Sequence, residues 1–206
     1  MPEKQPPRPH SLTEITGALR ESARDVETFF AELPLEDFYC HLPNAWAPVD
    51  DLRHLSRSSS PLAQALKMPK LVLRSMFGRG GESRTYEDVF AQYLAALDDG
   101  TAVATGRYIP SDREGQKEDE TYRAGTLERW RQINDDLQKA LGRWKESQLD
   151  SYRLPHPVLG KLTVREMLFF THFHNQTHID IAQKRIAQVR GQIPTEKTRE
   201  NVSRAS

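Results

Sequence analysis

The sequence predicts an all-α protein, a bundle of four main helices. Three observations carry that expectation. Long stretches repeat apolar residues at spacings of three and four, two of them open with a Ser/Thr-x-x-Glu box, and no segment alternates strongly as a strand would. The chain has 206 residues, which suits one domain with tails. We expect a flexible tail over residues 1–10, a helical domain over 11–190 and a second tail over 191–206, because neither end carries an apolar stripe.

The first helix begins at Ser11, where "SLTE" lets Ser11 cap the helix and Glu14 reach back. Ile15, Leu19, Ser22, Val26, Phe29 and Leu33 form its buried stripe, and "ELPLEDF" ends it. A second helix begins in "NAWAPVDDLRHL", where Pro48 suits the first turn and Asp50 and Asp51 suit the positive end of the dipole. Pro61 is expected to kink or interrupt it. "LKMPKLVLRSMFGRGGESR" reads as a long connection folded over the bundle, and "TYEDVFAQYLAALDDG" as a short helix closed by Gly100. "EGQKEDE" is a solvated charge run.

A long helix follows over about 120–147, with the stripe Leu127, Trp130, Ile133, Leu137, Leu141 and Trp144. "DSYRLPHPVLG" holds too many turn formers to extend it. The last helix opens with "TVRE", Thr163 as cap and Glu166 three residues on, and runs to about Gln188. Its stripe is Val164, Met167, Thr171, His174, His178 and Ile181.

Lys plus Arg and Asp plus Glu number 29 each, so no broad basic field calls for nucleic acid as a partner. No apolar run approaches the roughly 18–20 residues of a membrane span. One cysteine, Cys40, excludes an internal disulfide and fits a reducing cytoplasm.

Three of the seven histidines fall in "FFTHFHNQTHID". His174 and His178 are four residues apart, so about 40° apart around the helix and both on its core stripe. His172 points about 160° from His174, onto another face. An inward i, i+4 pair can either give two imidazoles to a metal or simply pack with its hydrogen bonds satisfied. A third ligand is available in His54, flanked by Leu52 and Leu55 on the second helix. Three imidazoles would leave coordination positions open, the pattern of a catalytic site. Neutral imidazole is required for metal binding, which sets the expected pH range near 6.5.

"WAPVDDLRHL" with His54, and "HPVLGKLTVREMLFFTHFHNQTH" with its terminal H-x-x-x-H, resemble the second-helix and last-helix motifs of the DinB/YfiT-like superfamily. "LKMPKLVLRSMFGR" and "GRYIP" resemble features of one branch, and the likeness covers nearly all of residues 11–190. It implies an up-down-down-up four-helix bundle binding a divalent metal, commonly zinc, nickel or iron, through His54, His174 and His178. Two positions depart from the family pattern. Ala47 stands where a Ser or Thr cap is frequent, and Gln183 lies five residues beyond the second histidine of the pair.

The resemblance implies two function classes. Some relatives are enzymes that use a low-molecular-weight thiol such as bacillithiol, mycothiol or glutathione, and others are grouped as metal-dependent hydrolases. The second class is a non-catalytic metal-binding or stress-associated protein. Relatives are often homodimers. No general base stands out: Asp50, Asp51 and Asp180 read as helix-terminal or solvated charges, and Cys40 as an interhelical residue. Trp130 and Trp144 read as core residues that an interface could also use.

Overall fold

The computed structural model describes residues 9–43, 45–101, 104–111 and 115–193. Most of the two expected tails lies outside them. Seven α-helices are present among the described residues: α1 (Leu12–Glu32), α2 (Leu35–Tyr39), α3 (Pro48–Lys67), α4 (Lys70–Phe77), α5 (Tyr86–Asp98), α6 (Glu120–Leu141) and α7 (Val164–Val189). A single hairpin pairs β1 (Arg153–His156) with β2 (Gly160–Thr163).

Both expected capping boxes form. Ser11 Oγ accepts from the Glu14 N–H at 3.2 Å while the Glu14 carboxylate accepts from the Ser11 N–H at 2.9 Å. Thr163 and Glu166 repeat the pattern at 3.2 and 2.8 Å. At the start of α3, Ala47 has no side-chain cap, and only the Asp50 carboxylate reaches back, at 3.4 Å.

Four long helices build the bundle, and cross-helix hydrogen bonds give their directions. Arg165 at the start of α7 donates to the His10 carbonyl, and farther along Asn175 donates to Ser22, so α1 and α7 run parallel. The pairs Trp130 with Ala23 and Gln138 with Thr16 make α6 antiparallel to α1. His178 meets Asp51 and His174 meets His54, so α3 is antiparallel to α7. The order is therefore up, down, down, up. Each helix packs against two of the others, α3 chiefly against α6 and α1 against α7 and α6.

The core follows the expected stripes with small shifts. Every stripe residue of α6, and Trp144 beyond it, is buried. Each indole N–H finds a carbonyl, Trp130 on Ala23 and Trp144 on Leu66, both at 3.0 Å, so both tryptophans serve the core. In α1 the aromatic core residue is Phe30, with Phe29 only half-buried.

Four expectations are corrected. α3 continues through Pro61, because Leu52, Leu55 and Ser59 before it and Leu62, Ala63 and Leu66 after it are buried in one continuous face, which outweighs the roughly 3 kcal/mol a helical proline costs. The 68–85 connection contains α4, an eight-residue helix. α6 stops at Leu141, with Gly142 at its C-cap, short of the expected 147. "RLPHPVLGKLT" forms a hairpin: its strands are four residues each, too short to show alternation, and Gly160 supplies the positive φ of 73° that closes the turn. Leu154 and Leu162 pair across it, both buried.

The hairpin region also anchors the segment after α4. The Gly80 N–H donates to the Ser151 carbonyl and the Gly81 N–H to the Asp150 carbonyl, each at 2.9 Å. A Cβ on Gly80 would lie 1.8 Å from the Asp150 carbonyl oxygen, whereas one on Gly81 meets nothing within 4 Å. Gly80→Ala should therefore destabilise the protein by roughly 1–3 kcal/mol, and Gly81→Ala should leave it within about 0.5 kcal/mol. Thermal denaturation of the two variants checks this, and equal melting temperatures would contradict the close approach.

Candidate metal centre

Placing Pro48 at the first turn of α3 sets the phase of the helix, so Asp51 and His54, three residues apart, share its inner face. On α7 the four-residue spacing of His174 and His178 stacks them on the face that meets α3. His54, His174 and His178 are all buried, and one ring nitrogen from each lies within 4.8 Å of the others. His54 Nε2 is 3.3 Å from His174 Nε2. His172, on the other face, is half-buried and bonds its Nδ1 to the Tyr86 hydroxyl at 2.8 Å, outside the cluster.

Hydrogen bonds to neighbouring groups orient two of the three rings. His54 Nδ1 lies 2.9 Å from the Tyr108 carbonyl, which only accepts, so Nδ1 carries the proton and Nε2 presents a lone pair. His178 Nδ1 donates to the Asp51 carboxylate at 2.8 Å, again freeing Nε2. The other Asp51 oxygen accepts from Arg185 at 2.7 Å. His174 stacks on Phe170, ring centroids 4.7 Å apart, and Trp46 packs beside His54 at 5.1 Å.

Burial disfavours the charged forms of His54 and His174. Burial, with the neighbouring His178, lowers the His54 pKa to about 4. Burial likewise holds His174 well below 6.5, with His178 and His54 adding to the effect. Three imidazoles, with one ring nitrogen of each within 4.8 Å of the others, fit a borderline divalent ion. Protons therefore compete for His54 only as the pH approaches about 4.

Asp51 was expected at the solvated helix end and is instead fully buried behind His178. Its spacing from His54 was the available signal. Arg185 and the Tyr108 carbonyl had none, since each comes from a distant segment. Asp50 pairs with Arg53 at 2.8 Å, and Asp180 and Gln183 are exposed. Burial pushes the Cys40 thiol up, away from the thiolate a nucleophile needs.

The triad lines one wall of a cavity of about 600 Å³. Most of the rest is apolar, from Leu62, Leu97, Leu154, Met167 and Ile181, with Arg107 and Arg185 as its charged residues. No carboxylate lines it among the described residues.

A bundle running up, down, down, up, with three inward histidines from its second and last long helices beside a cavity, defines the class of four-helix bundles that can hold a metal ion. A family model described as the DinB superfamily matches residues 18–182, and the chain belongs to that superfamily. Comparison with curated proteins gives no match. No helix among the described residues is long and apolar enough to cross a membrane.

Two outcomes follow from the geometry. Asp51→Asn keeps the shape of the side chain and removes the charge that holds the His178 proton. It should lower zinc affinity about 10–100-fold, read by competition with a chromogenic chelator. The histidine pKa shifts bear on stability as well. His54 and His156 titrate near 4 when folded, and His172 and His174 below 6.5, against about 6.5 unfolded. Between those values the unfolded chain binds more protons, so stability falls as pH drops from about 6.5 towards 4. Denaturant titrations of the metal-free protein across that range check the sign.

Proposed function

We propose that this DinB-superfamily protein binds a divalent ion, zinc, nickel or iron, through His54, His174 and His178 and works as a metal-dependent enzyme. The observation that carries the reading is the placement of three buried histidines, a ring nitrogen of each within 4.8 Å of the others, on the wall of a cavity. A divalent ion there supplies Lewis acidity that brings a thiol or water to ionise near neutral pH. The chain's own residues do the rest. Asp51 and the Tyr108 carbonyl hold the His178 and His54 protons on Nδ1, Arg185 offsets the Asp51 charge, and the apolar wall excludes water.

Both chemistries suit this site: transfer of a low-molecular-weight thiol, and hydrolysis. A bound ion would ionise either nucleophile without a general base, and no carboxylate lines the cavity among the described residues. Such thiols are abundant in a reducing cytoplasm, the compartment this reading requires. The same lack of a base also favours, as the second reading, a metal-binding or stress-associated protein without turnover.

Metal content per chain tests the site. His54→Ala, His174→Ala and His178→Ala should each lose most of the bound ion, and His172→Ala should keep it, with circular dichroism as the folding control. Full metal retention in a folded His54→Ala variant would refute the cross-helix site. Turnover of electrophiles with a panel of thiols should vanish on chelation and return with the ion, and activity that survives complete metal removal would sink the enzyme reading.

A further inference from the structure

Among the described residues, the Tyr93 hydroxyl and His156 Nε2, both beside the triad, have no hydrogen-bond partner. His156, at the end of β1, is locked by its own turn: Nδ1 accepts from the Val158 N–H at 3.2 Å and the Leu159 N–H at 3.0 Å. An atom that accepts two N–H groups carries no proton, so the neutral ring has its proton on Nε2. That Nε2–H has no hydrogen-bond partner among the described residues, and the ring lines the cavity. Tyr93 on α5 is only 5% exposed, lines the same cavity, and its hydroxyl has no hydrogen-bond partner among the described residues.

Phe170 sets the two donors around His174. Its ring is 4.2 Å from His156, 5.2 Å from Tyr93 and stacked on His174. Neither donor atom is sealed from solvent, so a ligand oxygen reaching them would take the place of water. The rest of the wall is mostly apolar, its charged residues are Arg107 and Arg185, and no carboxylate lines it among the described residues, so it repels neither an apolar body nor an sp2 oxygen.

We propose that the cavity binds an apolar molecule carrying a carbonyl or carboxylate oxygen, with Tyr93 O–H and His156 Nε2–H as the donors that orient it beside the triad. The inference rests on the proposed function only in taking this cavity as the ligand site; it does not depend on the metal. The donors specify which functional group of a ligand faces the three histidines.

The probes are benzylacetone, which carries the carbonyl, and isopentylbenzene, a hydrocarbon of the same shape. Binding is followed by protein NMR on the full chain, zinc-loaded and zinc-free. The parent should bind the ketone about tenfold more tightly than the hydrocarbon, as one or two net hydrogen bonds predict. Tyr93→Phe and His156→Asn should each reduce that preference several-fold while leaving hydrocarbon binding and zinc content unchanged. Asn at 156 offers its Oδ1 to the Val158 and Leu159 N–H groups, so the turn keeps its acceptor. Hydrocarbon binding is the folding control, and if one variant fails to fold the other decides. Equal affinity for both probes, no binding of either, or an undiminished preference in the folded variants would overturn the proposal. Zinc content is read separately, so a triad that takes no metal would defeat the proposed function and leave this result standing.

Discussion

The buried carboxylate of Asp51 is the constraint on which the site depends. A fully buried charge is tolerable only when paired and hydrogen-bonded, and removing one partner of such a pair typically costs about 3–5 kcal/mol. Asp51 meets the requirement by reaching across from α3 to two residues of α7, His178 and Arg185. Those contacts fix the axial position of the two helices relative to one another. Once they are aligned, His54 falls opposite His174 without further help. Arg185 also donates to the Trp46 carbonyl at 3.3 Å, which ties the chain entering α3 to the same anchor.

Much of this was legible in the sequence because its periodicity is helical and its caps are explicit. The phase of α7 separated His172 from the inward pair correctly, and the spacing rule needs no tertiary information. What stayed hidden depended on contacts between distant segments. The burial of Asp51 requires Arg185, 134 residues away, to be its neighbour. The proline in α3 read as a break because a propensity weighs one residue, whereas the helix is held by the apolar face on both sides of it. The hairpin escaped because a turn and four-residue strands look alike when proline, glycine and histidine crowd together.

The connection between α3 and α6 does more than join two parallel helices. Because α3 and α6 run the same way, the chain must travel the length of the bundle between them, and α4 and α5 lie on that path. α5 packs on α7 and brings Tyr93 to the cavity, and the turn at Gly106–Tyr108 closes over His54. The bundle thus supplies the histidine nitrogens and the largest share of the cavity wall, while the return path and the hairpin supply much of the remainder.

Tyr108 orients His54 through its main-chain carbonyl, not its side chain. Any amino acid at that position presents the same oxygen, provided the turn keeps its course. Replacement scanning would therefore pass over this contact in silence, since it edits side chains and leaves the peptide intact. For this contact the side chain at 108 is immaterial, and only rerouting the loop would expose it.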